Sequence, residues 1–314
     1  MKPVQILELF GGIGAPRCAM RNIGIPVKSI DYVEIDEKAV RSYNAMFAGE
    51  VAYQPQDVRG WNLTPDVLFH GSPCQDFSIA GHQKGADPNS GTRSSLMWET
   101  LRIIRNLGEW KPRVVVWENV PNVLSKHMRH NFEKYLEAMR HMGYRNACDT
   151  LNAMDFGLPQ NRRRVFTVSI LDSKPFDFST LTKRPMRPIG EFLECTDAPQ
   201  YVVKQPSMLK RIGVQQKHGF RGSVNVIRDT AQTITTSQMR CPNAGILDTG
   251  KGHYRYLTER ECWRLQGFTD ADYDAALAAN PTRPGCMNGV LYRQAGNAMP
   301  VPILEEILKH TTTK

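Results

Sequence analysis

The first 170 residues of this 314-residue chain alternate between two hydrophobic patterns, and this alternation constrains the fold more than any other feature. Short runs rich in Val, Ile, Leu and aromatic residues predict strands, and amphipathic segments between them predict helices. The predicted strands are 4–10, 29–34, 67–69, 114–117 and 165–170, and the predicted helices are 15–23, 37–47, 96–107 and 131–142. Strands and helices in alternation are typical of α/β proteins. We therefore predict a doubly wound, mostly parallel sheet whose ligands bind beyond the carboxyl ends of the strands.

The pattern changes after Leu171. Prolines and glycines interrupt each short apolar run up to about residue 256, which predicts a smaller strand-and-loop domain with little helix. Helical patterns return at 257–266 and at 302–310. The chain therefore divides into three segments, 1–171, 172–256 and 257–314.

Most of the positive charge lies in the middle segment. The formal net charge is +9, and residues 172–256 contain 13 Lys and Arg against 7 Asp and Glu. Residues 198–228 contain no acidic residue at all. A basic surface of this kind binds the phosphates of a nucleic acid, although a solvated basic face would have the same composition.

Composition argues against several classes of protein. The longest aliphatic and aromatic run, 114–117, is far shorter than the roughly 20 residues of a membrane helix, and the N-terminus lacks the pattern of an export signal. The seven cysteines are odd in number and form no Cys-x-x-Cys pair, which argues against a disulfide framework and a zinc site. We expect a reduced, cytoplasmic protein with no membrane partner and no metal.

A glycine-rich turn follows the first predicted strand. Phe10-Gly11-Gly12-Ile13-Gly14 leads directly into a helical pattern, where glycine lets the backbone approach a ligand and the helix presents its N-terminus. Glu34 ends the second strand, where a carboxylate can accept hydrogen bonds from both hydroxyls of a ribose, and Asp57 precedes the third strand. These residues favour a nucleoside cofactor over the alternative of a structural turn with a surface acid.

Two reactive side chains are expected at the same sheet edge. Cys74 lies in a loop after the third strand, next to Pro73, which is where a nucleophile would sit. Glu118 ends the neighbouring strand, so a thiol and a carboxylate would converge there. A core or incidental cysteine and a helix-capping glutamate are the open alternatives.

Seven ordered motifs together resemble the DNA (cytosine-5) methyltransferase family of bacteria and phages. They follow the order and approximate spacing of that family over nearly the whole chain. The motifs are Phe10 to Gly14, Glu34, Pro73-Cys74-Gln75, Glu118-Asn119-Val120, Gln160-x-Arg162-x-Arg164, Arg264-Leu265-Gln266-Gly267-Phe268 and Gly296-Asn297-Ala298. The resemblance implies the S-adenosylmethionine-dependent methyltransferase fold. Residues 1–171 would then be the catalytic and cofactor-binding domain, 172–256 the target-recognition domain, and 257–314 a segment that returns to complete the catalytic domain.

The resemblance also implies a reaction that suits these residues. Cytosine C5 is a poor nucleophile until a thiolate adds at C6, and Cys74 is the candidate for that thiolate. Glu118 would hold N3 and the exocyclic amine while charge develops on the ring, and Arg162 and Arg164 would orient the base and the catalytic loop. The group that removes the C5 proton stays unassigned.

S-adenosylmethionine is the cofactor that the resemblance implies, with S-adenosylhomocysteine as product. Seven residues would bind it: Phe10 at the adenine, Gly12 and Gly14 at the methionine portion, Glu34 at the ribose, Asp57 at the adenine amine, and Pro73 and Asn297 to complete the pocket.

Double-stranded DNA is the implied substrate, and its target cytosine must be flipped out of the duplex. The candidate DNA-binding residues are Gln75, Ser78 and Arg93 in a loop that closes over the base, Lys210, Arg211, Lys217 and Arg221 in the basic domain, and Thr233-Ile234, which resembles a Thr-Leu pair that the family places against DNA. Residues 89–96 look like a loop of CpG-type enzymes, so CpG is a hypothesis for the recognition site.

Two other functions are kept open. One is an RNA (tRNA) cytosine-5 methyltransferase of the same fold, although the basic segment 172–256 favours a reader of duplex DNA. The other is a catalytically silent DNA-binding regulator, although the candidate nucleophile Cys74 is intact. We expect a monomer in the bacterial cytoplasm or nucleoid. The sequence leaves open a restriction system with a cognate endonuclease, a phage origin or a solitary enzyme.

Overall fold

The computed structural model describes residues 3–49, 52–59, 64–72, 96–126, 128–213, 223–250 and 252–311. In chain order, the strands of the first segment are β1 (Val4–Leu9), β2 (Val27–Val33), β3 (Val67–His70), β4 (Val114–Asn119), β5 (Tyr144–Asn152), β6 (Gln160–Asn161) and β7 (Arg163–Leu171). The helices are α1 (Ala15–Asn22), α2 (Glu37–Met46), α3 (Met97–Asn106) and α4 (Arg129–His141). The elements predicted from the periodicity of the first 170 residues form close to their predicted positions.

Within the described residues, six strands form the central sheet in the order β2-β1-β3-β4-β7-β5. Strands β2, β1, β3 and β4 are parallel, and β7 runs antiparallel to both of its neighbours. The predicted α/β fold with a mostly parallel, doubly wound sheet is confirmed. Because β1 lies between β2 and β3, the chain reverses its direction across the sheet there, and such a switch point opens a crevice at the carboxyl ends of the strands.

Helices cover both faces of the sheet. Ile6 and the alternate residues of β1 pack with α1 and α2 on one face, whereas Leu7 packs with α3 and α4 on the other. Strand β3 is buried along its whole length, which is why it reads as a continuous apolar run rather than an alternating one.

One strand of the sheet was not predicted. Strand β5 forms the edge of the sheet, pairs only with β7 among the described strands, and leaves most of its side chains partly or fully exposed. Its sequence, YRNACDTLN, has neither an apolar run nor a clean alternation. An edge strand with such a polar sequence carries little periodic signal, so pairing with β7 rather than local pattern defines it.

The middle segment consists of short strands and loops with its own small core. Its elements are α5 (Pro206–Leu209), β8 (Val226–Ile227), β9 (Ala231–Gln232), β10 (Ile246–Gly250) and β11 (His253–Tyr256). Strands β11, β10 and β8 form a sheet, whereas β9 pairs in parallel with β6 of the first segment. The core of this segment includes Val203, Ile246 and Tyr256.

The described part of the last segment contains four helices, which pack back onto the first segment. They are α6 (Glu259–Arg264), α7 (Asp270–Ala279), α8 (Gly289–Asn297) and α9 (Val301–Thr311). Arg21 of α1 donates two hydrogen bonds, of 2.8 and 2.9 Å, to Asp272 of α7, and Asn22 donates one of 2.9 Å to Glu305 of α9. Among the described residues, no helix combines the length and the apolar character needed to cross a membrane.

Candidate active site

The carboxyl ends of four neighbouring strands lie in register at one edge of the sheet. Leu9 is paired with Val33 on one side and with His70 on the other, and His70 is paired with Trp117. The residues that follow these positions are Phe10, Glu34, Gly71 and Glu118. The pairing register of these strands therefore brings the segments with the sequence motifs together at one edge of the sheet.

The glycine-rich turn adopts a backbone that favours glycine. Gly12 and Gly14 have positive φ angles of 56° and 75°, and Phe10 shares this conformation with φ 57°. A Cβ on Gly14 would lie 2.5 Å from the ring of Tyr43, so the turn packs tightly on that side. A Cβ on Gly12 would meet no described atom within 4 Å, which leaves this face of the turn open to a ligand.

Glu34 is held in place by backbone donors. Its Oε2 accepts a 3.0 Å hydrogen bond from the Gly12 N–H, and its Oε1 accepts bonds of 2.8 and 2.9 Å from the N–H groups of Ile35 and Asp36. Burial raises the pKa of Glu34 above its usual value, while these backbone donors act in the opposite direction. The carboxylate has a fixed orientation and retains acceptor capacity for further donors.

Ile35 is not among the site residues predicted from the sequence. Its side chain is 70% exposed directly after Glu34, although a large aliphatic residue is normally buried. It offers an apolar surface beside the carboxylate, as a planar ring of a nucleoside would require. An isoleucine between two acids at the end of a strand is the signal that could have identified it.

Asp57 lies on a loop held against the end of β2. The neighbouring Gln56 donates a 2.7 Å bond from its N–H to the carbonyl of Glu34. Asp57 itself is exposed and accepts bonds from the side chain and the backbone of Arg59, and the Arg59 side chain in particular lowers the pKa of Asp57 to about 2. The carboxylate is thus close to Glu34 in the chain fold but is engaged by Arg59.

Asn297 reaches the same edge from the end of the chain. It is exposed at the last position of α8, and Arg293 of that helix lies 3.5 Å from Asp36, two residues beyond Glu34. Two residues after Asn297, the Met299 side chain packs so closely on Gly71 that a Cβ there would lie 3.0 Å away. Residues on either side of Asn297 in the chain therefore contact the segments that follow β2 and β3.

Glu118 and Arg164 form an ion pair beside this crevice. Arg164 Nε lies 3.0 Å from Glu118 Oε1, and both side chains are 13% exposed. The pair forms because β7 is antiparallel to β4, so that the start of β7 meets the end of β4. A Cβ on Gly71 would lie 4.0 Å from Glu118 Oε2, and Trp117 Nε1 donates a 3.1 Å bond to Ser72 Oγ. The segment that leads into Cys74 therefore begins next to Glu118.

Seven predicted site residues fall outside the ranges that the structure describes. The candidate nucleophile Cys74, its neighbours Pro73, Gln75, Ser78 and Arg93, and the basic residues Lys217 and Arg221 lie outside the described residues.

Arg162 connects three segments from a buried position. Its Nη1 donates to the Ile234 carbonyl at 2.9 Å, and its Nη2 donates to the carbonyls of Gly296 and Ala298 at 3.0 and 2.8 Å. The neighbouring Gln160 accepts a 3.0 Å bond from the Ile234 N–H. The Arg162 guanidinium therefore links the backbone of the middle segment to the backbone at the end of α8.

The candidate DNA-binding residues of the middle segment differ in exposure. Lys210 and Arg211 are exposed, and Thr233 is half-buried with its hydroxyl donating a 2.9 Å bond to the Asn161 carbonyl. The Ile234 side chain is fully buried, and its contact with DNA stays a prediction. Its backbone is bound by Gln160 and Arg162, so it links the middle segment to the sheet edge.

This arrangement defines a class of protein. At the switch point of the doubly wound sheet, the glycine turn lies beside Glu34, a carboxylate placed to accept hydrogen bonds from ribose hydroxyls. The Glu118–Arg164 ion pair lies two strands away, and the basic middle segment lies beside the sheet. That combination is typical of α/β enzymes that use a nucleoside cofactor.

Comparison with known proteins identifies the family. The family model for C-5 cytosine-specific DNA methylase matches residues 4–313, so the chain belongs to that family. It is 32% identical to the type II methyltransferase M2.ScrFI of Lactococcus lactis subsp. cremoris, over 92% of this chain and 80% of the relative. It is 30% identical to M.NgoBI of Neisseria gonorrhoeae, over 97% and 92% of the two chains.

Solved structures share the fold. The Dnmt2 methyltransferase of S. pombe superposes with a TM-score of 0.75 and 19% identity, over 97% of each chain. A DNA modification methyltransferase encoded in an E. coli prophage superposes with a TM-score of 0.70 and 18% identity, over 98% of each chain.

Proposed function

We propose that this protein transfers a methyl group from S-adenosylmethionine to C5 of a flipped-out cytosine in duplex DNA. One observation carries the proposal: the half-buried Glu118–Arg164 pair lies at the same sheet edge as the open Gly12 turn and Glu34. A cofactor cradle and a polar pair suited to a pyrimidine edge are thus separated by one strand, which is the proximity that direct transfer requires.

The residues at the switch point fit S-adenosylmethionine. The open face of Gly12 gives the methionine portion an approach to the backbone, and Glu34 has acceptor capacity for the ribose hydroxyls. Ile35 supplies an apolar surface for the adenine, and we propose that Asp57 and Asn297 approach it from either side, with Phe10, Gly14 and Pro73 completing the pocket. The bound cofactor supplies an electrophilic methyl group, and the proposed reaction uses no metal ion.

We propose that Cys74 is the nucleophile. Its thiolate adds to C6 of cytosine, so that an Sγ–C6 bond forms and the electrons of the C5–C6 double bond make C5 nucleophilic. C5 would take the methyl group as the S–CH3 bond of the sulfonium breaks, which leaves S-adenosylhomocysteine as the thioether product. A base then removes the C5 proton, the Sγ–C6 bond breaks and the ring double bond is restored. The Cys74 thiolate is thereby regenerated, and the cytosine keeps the methyl group at C5.

Glu118 and Arg164 have complementary roles in this scheme. Glu118 would bind N3 and the exocyclic amine of the base and stabilise the ring as charge develops on it. The 3.0 Å contact with Arg164 supports this role, because a neighbouring guanidinium fixes the direction of a carboxylate. Arg162 would act as a positioning residue through its three carbonyl acceptors.

The basic middle segment is proposed to hold the DNA. Lys210 and Arg211 are exposed, as phosphate or base contacts must be. Gln75, Ser78, Arg93, Lys217, Arg221 and Thr233 stay proposals for DNA contact. We further propose a monomeric enzyme of the bacterial cytoplasm or nucleoid, with or without a cognate restriction endonuclease.

The test is transfer of a labelled methyl group to matched substrates. Purified protein is incubated with labelled S-adenosylmethionine and either duplex DNA of mixed sequence or transfer RNA. The proposal expects labelling of the DNA only, and labelling of RNA alone would overturn it. Duplexes containing 5-fluorocytosine should form a denaturant-stable complex with the protein, because the C5 position then has no proton to lose.

Variants separate the roles of the proposed catalytic residues. Cys74→Ala should abolish both methyl transfer and the trapped complex, and Glu118→Gln should lower kcat by about 100-fold or more. Glu133→Gln is the matched control, since Glu133 is an exposed helical residue that is paired with Arg129 and is not among the proposed site residues, and it should leave activity unchanged. Full activity in Cys74→Ala would contradict the nucleophile assignment.

A further inference from the structure

Gly12, the residue whose open face is available to a ligand, is fixed by hydrogen bonds on both sides of its backbone. Its N–H donates to Glu34 Oε2 at 3.0 Å, and its carbonyl accepts a 2.7 Å bond from the hydroxyl of Tyr32. Both partners come from the end of β2. The position of the glycine turn relative to Glu34 is therefore set by this strand end rather than by the turn alone.

Tyr32 is itself held rigidly. It is fully buried, and its ring stacks on that of Tyr43 with centroids 3.8 Å apart. Tyr43 is anchored in turn by a 2.8 Å hydrogen bond from its hydroxyl to Glu8 Oε2. A Cβ on Gly11 would lie 2.7 Å from the Tyr32 ring, so the turn also rests directly on this side chain. A hydroxyl fixed in this way can define the position of its acceptor.

The protonation state of Tyr32 supports a permanent donor. Burial raises the pKa of its phenol well above the usual value, with the nearby carboxylates of Glu34 and Glu8 acting in the same direction. The hydroxyl therefore keeps its proton at neutral pH, and the Gly12 carbonyl has a donor there.

We propose that Tyr32 is a positioning residue of the cofactor site, which holds Gly12 so that its open face and the Glu34 carboxylate match the methionine and ribose portions of one ligand. This inference rests on the proposed use of S-adenosylmethionine. Without the Tyr32 hydroxyl the Gly12 carbonyl loses its donor, the turn is free to relax, and the bond from Gly12 to Glu34 weakens with it.

The chain offers a matched control for the loss of such a hydroxyl. Tyr144 is equally buried, and its hydroxyl donates a 2.6 Å bond to the carbonyl of Pro112. It lies at the other end of the strands from the cofactor site, where β5 begins beside the end of β7. Tyr144→Phe therefore removes the same kind of bond from the core without touching the cofactor edge.

The experiment compares Tyr32→Phe with Tyr144→Phe in the full-length protein. Dissociation constants for S-adenosylmethionine are measured by calorimetry, KM and kcat by methyl transfer to DNA, and Tm by thermal unfolding. Tyr32→Phe should raise the dissociation constant and the KM for the cofactor about 10-fold, with kcat at saturating cofactor changed less than twofold. Tyr144→Phe should lower Tm comparably but leave both cofactor constants unchanged.

An unchanged cofactor affinity in Tyr32→Phe would overturn the inference, because the hydroxyl would then be only a satisfied core group. If Tyr32→Phe does not fold, hydrogen exchange in the wild-type protein decides instead. The Gly12 amide should exchange slowly, and rapid exchange would contradict the double anchoring. A wild-type protein that binds no S-adenosylmethionine would refute the proposed function, an outcome distinct from failure of this inference.

Discussion

The buried carboxyl of Glu8 predicts a measurable dependence of stability on pH. Glu8 lies on β1 beneath the glycine turn, fully buried, and accepts a 2.8 Å hydrogen bond from Tyr43 with the Arg17 guanidinium nearby. Burial raises its pKa from 4.5 to about 7, and Tyr43 and Arg17 offset this only partly. The desolvation of the charged form therefore exceeds the attraction to its neighbours.

The direction in which stability changes with pH follows from proton binding. Between pH 4.5 and about 7 the folded protein retains a proton that the unfolded chain has released, so stability falls as pH rises through this window. At about 1.4 kcal/mol per pKa unit, ionisation of Glu8 should remove about 2 to 3 kcal/mol of the free energy of unfolding between pH 5 and pH 8. Glu8→Gln stays neutral and should not show this loss.

The assay is urea unfolding of the wild type and Glu8→Gln at pH 5 and at pH 8. The difference in unfolding free energy between the two proteins should shift by about 2 to 3 kcal/mol in favour of Glu8→Gln at the higher pH. Any constant packing cost of the substitution cancels in this comparison. Glu133→Gln, at an exposed site, should run parallel to the wild type. Parallel behaviour of Glu8→Gln would refute the reasoning.

Three further predictions concern close approach, a helix link and the candidate site. Gly296→Ala should destabilise the protein by about 1 to 3 kcal/mol in urea unfolding, because a Cβ there would lie 2.4 Å from the backbone of Thr235; unchanged stability would contradict that contact. Arg21→Ala should cost about 1 to 3 kcal/mol by the same measurement, since it leaves the buried carboxylate of Asp272 without its two-bond partner, and a smaller loss in Arg21→Lys would support this cause. Arg164→Gln should lower kcat for methyl transfer about 100-fold with little change in the KM for S-adenosylmethionine. A change in KM alone would contradict a role of Arg164 in the chemical step.

The sequence predicts those parts of the fold whose local pattern matches their burial. Buried strands such as β3 and β4 read as apolar runs, and the resulting parallel sheet brings Glu34 and Glu118 to one edge without knowledge of any contact. Strand β5 was missed because its polar sequence has no period. Helix α8 was missed because Gly289 and Gly296 weaken its helical signal, although Gly296 is needed for close packing on Thr235.

The candidate site was predictable as a set of positions but not as a set of contacts. The acceptors of Arg162 lie 72 to 136 residues further along the chain, so its burial and its bonds to backbone carbonyls follow only from the tertiary structure. Ile234 reads as a candidate surface residue beside Thr233, yet tertiary packing buries it completely. Tyr32 reads as an ordinary strand residue, because nothing in the sequence indicates that its hydroxyl meets Gly12.

Expression in a bacterial host that lacks cytosine methylation, followed by bisulfite sequencing of the host genome, tests the proposed activity as a whole. We predict that cytosines within one short recurring sequence resist conversion, and that they are fully converted in cells that express Cys74→Ala to the same level. Those sites would also give the recognition sequence and test the CpG hypothesis. A fully converted genome in cells that contain folded wild-type protein would contradict the assignment of a DNA cytosine-5 methyltransferase.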